Sequence, residues 1–288
     1  MEIVLGKTAG FCYGVNRAVD EAKKEIENNK NIYCVGELVH NKSVIRDLEE
    51  KGIRFVNSID EVKEKIIIRA HGISKDIYEK LEQKGIKIKD LTCPNVLKTH
   101  TIAEKYRKEN YFIVLLGTKK HPESMGTLSF CGNNSFLLQE NEDIEECIEN
   151  INKSGLNKVL IMAQTTYNSK KFDDIVEILK YKIKNKNIEV QKTICGATEV
   201  RQKETTEIAR NVEVMIIIGD KKSSNTNKLY DISKENCKKV IFVQNAEELN
   251  LKELDRIQKI GIMAGASTPK EDIDEIIIKI RSKKIWGI

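Results

Sequence analysis

A chain of 288 residues is long for one hydrophobic core, and 40% hydrophobic with 32% charged residues excludes a disordered chain. Lys+Arg of 49 against Asp+Glu of 44 leaves a net charge of +5, spread along helical faces without a basic block, so nothing points to nucleic acid. No apolar run approaches the roughly 18 residues of a membrane span, and the opening Met1-Glu2-Ile3-Val4-Leu5 enters a strand with no secretory pattern. The expected location is the cytoplasm. There, seven cysteines are expected to be buried apolar residues, metal ligands or catalytic thiols, not disulfides.

The first unit, 1–85, begins with a strand at Glu2–Leu5, then Gly10-Phe11-Cys12-Tyr13-Gly14, then a helical pattern over 15–27. A second strand, Ile32–Val35, closes at Gly36 and leads to His40-Asn41 and a helix with Val44, Ile45 and Leu48 on one face. Gly52 breaks that helix before strands at Ile53–Val56 and 65–70, and His71-Gly72-Ile73 follows, with Ser74 placed to cap the next helix.

The second unit, 86–186, repeats this order. A strand at 86–89 leads to Leu91-Thr92-Cys93-Pro94, a helix over 96–108 and a strand at 111–116 closed by Gly117. His121-Pro122-Glu123 opens a helix, a strand at 136–138 and a helix at 144–151 follow, and Lys158–Ala163 runs into Gln164-Thr165-Thr166. In the third unit, 187–288, a strand at 188–192 leads to Cys195, a helix at about 198–211 and Val214–Ile218 ended by Gly219. Ser223-Ser224-Asn225 comes next, then Val240–Val243, and Lys259–Ala264 leads into Gly265-Ala266-Ser267.

Counting 24 residues on from Cys12, Cys93 and Cys195 reaches Gly36, Gly117 and Gly219, and four further on stand His40, His121 and Ser223. Glycine fills about one position in eighteen, so three coincidences argue for a repeated unit. From each cysteine to the alanine ending the fourth strand is 58, 70 and 69 residues. Apolar runs of four to six residues alternating with amphipathic helices indicate parallel strands covered on both faces. The expected fold is α/β, three pseudo-threefold-related units, each a small parallel sheet flanked by helices. Crossover connections put all strand carboxyl ends at one edge, where the cysteines and the residues after each glycine and alanine lie. The three units are therefore expected to surround a central iron–sulfur site.

Three single cysteines from separate units fit neither the paired spacing of zinc sites nor the dense runs of ferredoxins. They suit a 4Fe–4S cubane with three Cys ligands and one open iron, a Lewis acid free to bind a substrate oxygen. Cys34, Cys131, Cys147 and Cys237 lie inside strand or helix runs and read as buried hydrophobes. Of the four histidines, His40, His71 and His121 follow strand ends, and His100 sits on a helix face and reads as structural. Together with Ser223, Ser224, Asn225 and Ser267, the three strand-end histidines form a donor set suited to the phosphate oxygens of a polyanion. Ser223-Ser224-Asn225 is equally a helix N-cap, and the two roles are compatible. Glu123, otherwise ordinary in a first helical turn, is the expected proton source if a hydroxyl is expelled as water, with Thr165 at the leaving oxygen. There is no dinucleotide fingerprint, P-loop or paired-histidine zinc motif.

Taken together, Gly10-Phe11-Cys12-Tyr13-Gly14-Val15, Val39-His40-Asn41, Ala70-His71-Gly72, Thr92-Cys93-Pro94, His121-Pro122-Glu123, Gln164-Thr165-Thr166, Ile194-Cys195, Ser223-Ser224-Asn225 and Ala264-Gly265-Ala266-Ser267 resemble the LytB/IspH family of 4-hydroxy-3-methylbut-2-enyl diphosphate reductases, end to end. The resemblance implies the last step of the non-mevalonate isoprenoid route, a two-electron reductive dehydroxylation giving isopentenyl and dimethylallyl diphosphate. It further implies Cys12, Cys93 and Cys195 as cluster ligands and His40, His71, His121, Ser223, Ser224, Asn225 and Ser267 around the diphosphate. Glu123 would be the proton donor, Thr165 would stand at the substrate hydroxyl, and a ferredoxin or flavodoxin would bring electrons. Two other expectations compete: a metal-dependent phosphate-ester hydrolase or isomerase built on the histidines and Glu123, and a non-catalytic scaffold presenting loops.

Overall fold

The computed structural model describes residues 1–29 and 31–286. Twelve strands and ten α-helices alternate along them, and the strands form three four-stranded, all-parallel sheets. Among the described residues no helix is long and apolar enough to cross a membrane. The chain divides into two compact units.

One unit comprises Met1–Asn16, Val39–Arg46 and Gly196–Ile288. Its sheet has the order β1-β12-β10-β11, with β1 at Glu2–Leu5, β10 at Val214–Ile218, β11 at Val240–Val243 and β12 at Lys259–Ala264. The central strand β10, Val-Met-Ile-Ile-Ile, is buried throughout because helices cover both faces. Val214, Ile216 and Ile218 pack with Ile273, Ile276 and Ile280 of α10, Lys270–Trp286. Met215 and Ile217 point the other way, to Ile208 of α8, Gly196–Ala209, and Leu229 of α9, Ser224–Asn236.

The other unit comprises Arg17–Leu38 and Asp47–Cys195 and holds two sheets. The first has the order β3-β2-β4-β5, from Ile53–Val56, Ile32–Val35, Lys65–Ile68 and Lys87–Asp90. The second has the order β7-β6-β8-β9, from Ser135–Leu138, Phe112–Leu116, Lys158–Ala163 and Asn187–Gln191. Helices α1 (Tyr13–Asn28), α2 (Lys42–Glu50), α3 (Lys75–Gln83), α4 (Pro94–Lys108), α5 (Pro122–Cys131), α6 (Ile144–Lys153) and α7 (Ser169–Lys182) connect the strands.

The same strand order occurs three times, and in each sheet the outer place beside β4, β8 or β12 goes to the strand that leads into a cysteine; β8 and β12 end at the expected alanines, whereas β4 ends at Ile68, two residues before Ala70. β5 precedes Cys93 and pairs with β4, β9 precedes Cys195 and pairs with β8, and β1 precedes Cys12 and pairs with β12. Divisions at 85/86 and 186/187 fall just ahead of strands that hydrogen-bond backwards, into the sheet before them. The chain's first strand accordingly fills the open place in its last sheet, Glu2 opposite Lys259 and Leu5 opposite Ile262.

Two of the three repeated glycines, Gly117 and Gly219, share a physical cause, whereas Gly36 has a positive φ of 69° and faces the Arg69 guanidinium. A Cβ on Gly117 would lie 2.7 Å from Ser124 Oγ, and one on Gly219 would lie 2.7 Å from Thr226 Oγ1. Both partners stand seven residues on, in the first turn of the helix that packs over the strand end. Only glycine lets that helix start so close to the sheet edge. Ser74 stands at the N-cap of α3 as expected, yet its hydroxyl bonds the Asp76 carboxylate and makes no bond to the helix backbone.

Candidate active site

Each of the three repeated cysteines is pinned in the same way. The Cys93 N–H donates to the Ala70 carbonyl at 3.0 Å, the Cys195 N–H to Thr165 at 2.9 Å, and the Cys12 N–H to Ala266 at 3.2 Å. The acceptors belong to the loops that leave β4, β8 and β12, so each cysteine is tied beside His71, Thr165 or Ser267. Cys12, Cys93 and Cys195 are all half-buried. Asn95 Nδ2 donates to Cys195 Sγ at 3.1 Å.

The remaining cysteines are different. Burial pushes the thiols of Cys34, Cys131 and Cys147 up to about 12. Cys34 donates its S–H to the Gly36 carbonyl, Cys131 to Thr127, and half-buried Cys237 to Lys239. Cys34, Cys131 and Cys147 are buried packing residues, as read from the sequence, whereas Cys237 is half-buried and stands just past the end of helix α9.

In the unit holding Cys93 and Cys195, helix α5 begins at His121, whose Nδ1 accepts the Glu123 N–H at 3.2 Å. Gln164 Nε2 lies 3.1 Å from the same Nδ1. The Gln164 amide is oriented by its other end, since Oε1 accepts from the Thr118 N–H and the Ser124 hydroxyl. Its NH₂ must therefore face His121, Nδ1 is an acceptor, and the ring proton sits on Nε2 as a donor. His71 meets His121 edge-on, with ring centroids 5.3 Å apart at 87°. His100, by contrast, is buried, stacks on Phe130 at 4.3 Å, and is pushed down to about 4 by burial, which fits its structural reading.

Glu123 is 2% exposed. Its Oε1 accepts the Thr165 N–H at 2.6 Å. Burial raises its carboxyl above the usual range, opposed by hydrogen bonds from Thr165 and Gln164. Such a carboxyl holds its proton at pH values where an exposed glutamate has lost it. Thr165, itself buried, bonds Glu123 through its N–H and Cys195 through its carbonyl.

In the other unit, Ser223 caps α9 by accepting the Thr226 N–H at 3.3 Å, which leaves its hydroxyl proton to donate outward. Asn225 is 4% exposed, and neither its amide nitrogen nor its oxygen meets a partner among the described residues. A buried amide in that state at a helix N-terminus is a donor awaiting an acceptor. Ser224 and Ser267 are buried beside the same sheet's strand ends. The Ser267 hydroxyl donates to the His40 carbonyl at 2.8 Å, so its proton fixes the His40 loop. The capping and anion-binding readings of Ser223-Ser224-Asn225 thus coexist, one through Ser223 Oγ as acceptor and the other through the donors around it.

Several supporting residues carried no sequence signal. Gln164 lies in a quoted run, but its orienting role needs Thr118 and Ser124 in view. Asn95, Arg17, Arg201 and Glu204 act on cysteine loops far away in sequence, and no spacing rule marks them.

A sequence model of the LytB protein family matches residues 3–281. A 4-hydroxy-3-methylbut-2-enyl diphosphate reductase of Caldanaerobacter subterraneus subsp. tengcongensis is 42% identical over 99% of this chain and 98% of its own. One of Clostridioides difficile is 39% identical over 96% and 98%. Among solved structures, the E-1-hydroxy-2-methyl-but-2-enyl-4-diphosphate reductase from Plasmodium falciparum superposes with a TM-score of 0.89 at 30% identity, covering 96% of this chain and 87% of that one. A second, described as (E)-4-hydroxy-3-methyl-but-2-enyl diphosphate reductase, the terminal enzyme of the non-mevalonate pathway, gives 0.68 at 37% identity over 98% and 100%. With its motifs, its fold and its full length matched, the chain belongs to the LytB protein family.

Proposed function

We propose that this chain is an iron–sulfur reductase that dehydroxylates 4-hydroxy-3-methylbut-2-enyl diphosphate to isopentenyl and dimethylallyl diphosphate, the terminal reaction of the non-mevalonate route. The reductase names of full-length relatives support the reaction. They lend nothing to a metal-dependent phosphate-ester hydrolase or isomerase. The observation that carries the reading is Glu123, a buried carboxyl fixed by the Thr165 N–H, whose hold on its proton burial strengthens. A hydrolytic base must be ionised, whereas a leaving hydroxyl needs an acid that still holds its proton.

Cys12, Cys93 and Cys195 are the proposed ligands of one 4Fe–4S cluster with an open iron position. Their fit rests on the donor set: half-buried sulfurs after repeated strands, with Cys195 Sγ accepting the Asn95 amide N–H. When bound, the cluster supplies electrons singly and a Lewis acid for the substrate oxygen.

The protein's residues do the rest. The Nε2–H of His121, His71, His40, the hydroxyls of Ser223 and Ser224, the Ser267 hydroxyl once its proton turns from the His40 carbonyl, and the Asn225 amide bind the diphosphate. That group is remote from the bond that breaks, so its binding energy positions the allylic alcohol. Thr165 orients the hydroxyl, and Glu123 delivers the proton with which it departs as water. The C–O bond breaks, and two electrons and a second proton form the new C–H bond. A small cytoplasmic carrier of the ferredoxin or flavodoxin class is the proposed electron source.

Anaerobic incubation with the allylic diphosphate and a low-potential reductant tests the assignment. Reductant-dependent formation of the two C5 diphosphates supports it, and release of inorganic phosphate in its place refutes it.

A further inference from the structure

Three helices follow the three repeated cysteines: α1 after Cys12, α4 after Cys93 and α8 after Cys195. Each of them reaches a cysteine loop other than its own. Arg17 on α1 donates through Nη2 to the carbonyls of Leu91 and Thr92, at 3.2 and 2.7 Å, immediately before Cys93. Asn95 in the first turn of α4 donates to Cys195 Sγ. Arg201 on α8 donates from Nε to the Thr8 carbonyl at 2.8 Å and from Nη2 to the Gly10 carbonyl at 2.7 Å, on the approach to Cys12. Glu204, just beyond Arg201 on the same helix, accepts from the N–H groups of Lys7 and Thr8 at 2.6 and 2.9 Å and from the Thr8 hydroxyl.

The chemistry of these contacts suits the task. The residues between a strand end and a cysteine have left the sheet ladder, and their carbonyls need donors from elsewhere. A guanidinium is a rigid planar fork that holds two carbonyls of one loop at once, which the point charge of lysine cannot do. Arg201 is 3% exposed, so its contact is not a mobile surface pair. Asn95 acts on the sulfur itself, where an N–H donor stabilises negative charge.

We propose that Arg17, Asn95 and Arg201, the last with Glu204, are positioning residues that lock the cysteine loops crosswise. The helix after Cys12 holds the Cys93 loop, the helix after Cys93 holds Cys195, and the helix after Cys195 holds the Cys12 loop. The inference rests on the proposed ligand role of the three cysteines. It adds that each cysteine loop is held by the protein before any cluster is loaded.

The test compares the wild type with Arg201→Lys, Arg17→Lys and Asn95→Leu, each reconstituted anaerobically with iron and sulfide. Iron per chain, the rate at which a chelator bleaches the visible absorbance, the cluster's reduction potential and the thermal midpoint of the apo protein are read for each. The two lysine variants are expected to lose the cluster about fivefold faster or more, with the apo protein still melting cooperatively at a midpoint lowered by several degrees, as loss of one or two charged hydrogen bonds implies. Asn95 is exposed, so Asn95→Leu leaves the fold intact, and its cluster is expected to reduce at a more negative potential because a donor to sulfur is gone. Wild-type retention rates and potential in all three variants overturn the inference. A wild type that takes up no cluster refutes the underlying ligand assignment and is a separate outcome.

Discussion

Glu123 Oε1 accepts a 2.6 Å hydrogen bond from the backbone N–H of Thr165. Because the Thr165 carbonyl accepts from Cys195, the carboxyl and the cysteine are fixed to opposite sides of one residue. If Glu123 is the proton donor, as proposed, an acid held this way needs no rearrangement to meet a substrate hydroxyl beside the cysteine. Burial strengthens its hold on the proton, and the Thr165 backbone sets its direction.

Glu123→Gln keeps an oxygen to accept the Thr165 N–H and removes only the acidic proton. The expected result is an unchanged visible spectrum and iron content, KM within about threefold, and kcat lowered by roughly 10²–10⁴. Steady-state kinetics on anaerobically prepared protein check this. A variant with wild-type kcat removes Glu123 from the reaction.

The raised carboxyl also fixes the sign of a pH effect. As the proposed proton donor Glu123 would act in its protonated form, and burial extends that form above the ordinary value of 4.5. Turnover is therefore expected to fall on the alkaline side as Glu123 ionises, with the limb absent from the residual activity of Glu123→Gln. Folding follows the same linkage, since a folded carboxyl raised above its unfolded value contributes stability below 4.5 that is lost as pH rises through the folded value. Denaturant melts at several pH values are expected to show Glu123→Gln gaining on the wild type toward alkaline pH. A gap between the two proteins that does not change with pH contradicts the burial argument.

At the helix α9 N-terminus, Asn225→Ala removes an amide that is buried without a protein partner, so the free protein loses little stability and the complex loses a charge-assisted hydrogen bond. The expected cost is about 1.5–3 kcal/mol in binding, roughly a ten- to hundredfold weaker Kd. Ser223→Ala is expected to weaken binding as well and also to cost about 1 kcal/mol of folding stability through the lost cap. Isothermal titration with the diphosphate substrate and urea melts separate the two effects. Unchanged affinity in both variants counts against the cradle.

His100 gives a stability prediction independent of the chemistry. It is 4% exposed, neither ring nitrogen meets a partner among the described residues, and burial pushes it from 6.5 to about 4. A histidine lowered in the folded state contributes stability that is complete above 6.5 and lost as pH falls toward 4. Relative to His100→Leu, the wild type is expected to lose roughly 3 kcal/mol between pH 7 and pH 4. A constant difference between the two proteins over that range overturns this account.

Much of the fold was legible because strand and helix periodicity is local. Ile32–Val35, Val214–Ile218 and Lys259–Ala264 coincide with β2, β10 and β12, and the cysteines with the strand ends. Partners across long separations were not legible. Nothing near Glu2 shows that it pairs with Lys259, because the pairing of β1 is decided by the open place beside β12 at the far end of the chain. Ser74 shows a local rule losing to a neighbour, its hydroxyl drawn from the helix N-terminus to the Asp76 carboxylate. The site followed the same division: Glu123 and Asn225 could be named from their place after a repeated glycine, whereas Gln164, Arg17, Asn95 and Arg201 act through contacts between distant segments.

The central claim is that Cys12, Cys93 and Cys195 together hold one redox-active cluster that reduces an allylic diphosphate. Iron and sulfide content with an anaerobic visible spectrum, taken on the wild type and on Cys12→Ser, Cys93→Ser and Cys195→Ser, addresses it most directly. The account predicts brown wild-type protein with about four irons and four sulfides per chain, and loss of that cluster in each serine variant. Colourless, iron-free wild-type protein that still converts the substrate would contradict it.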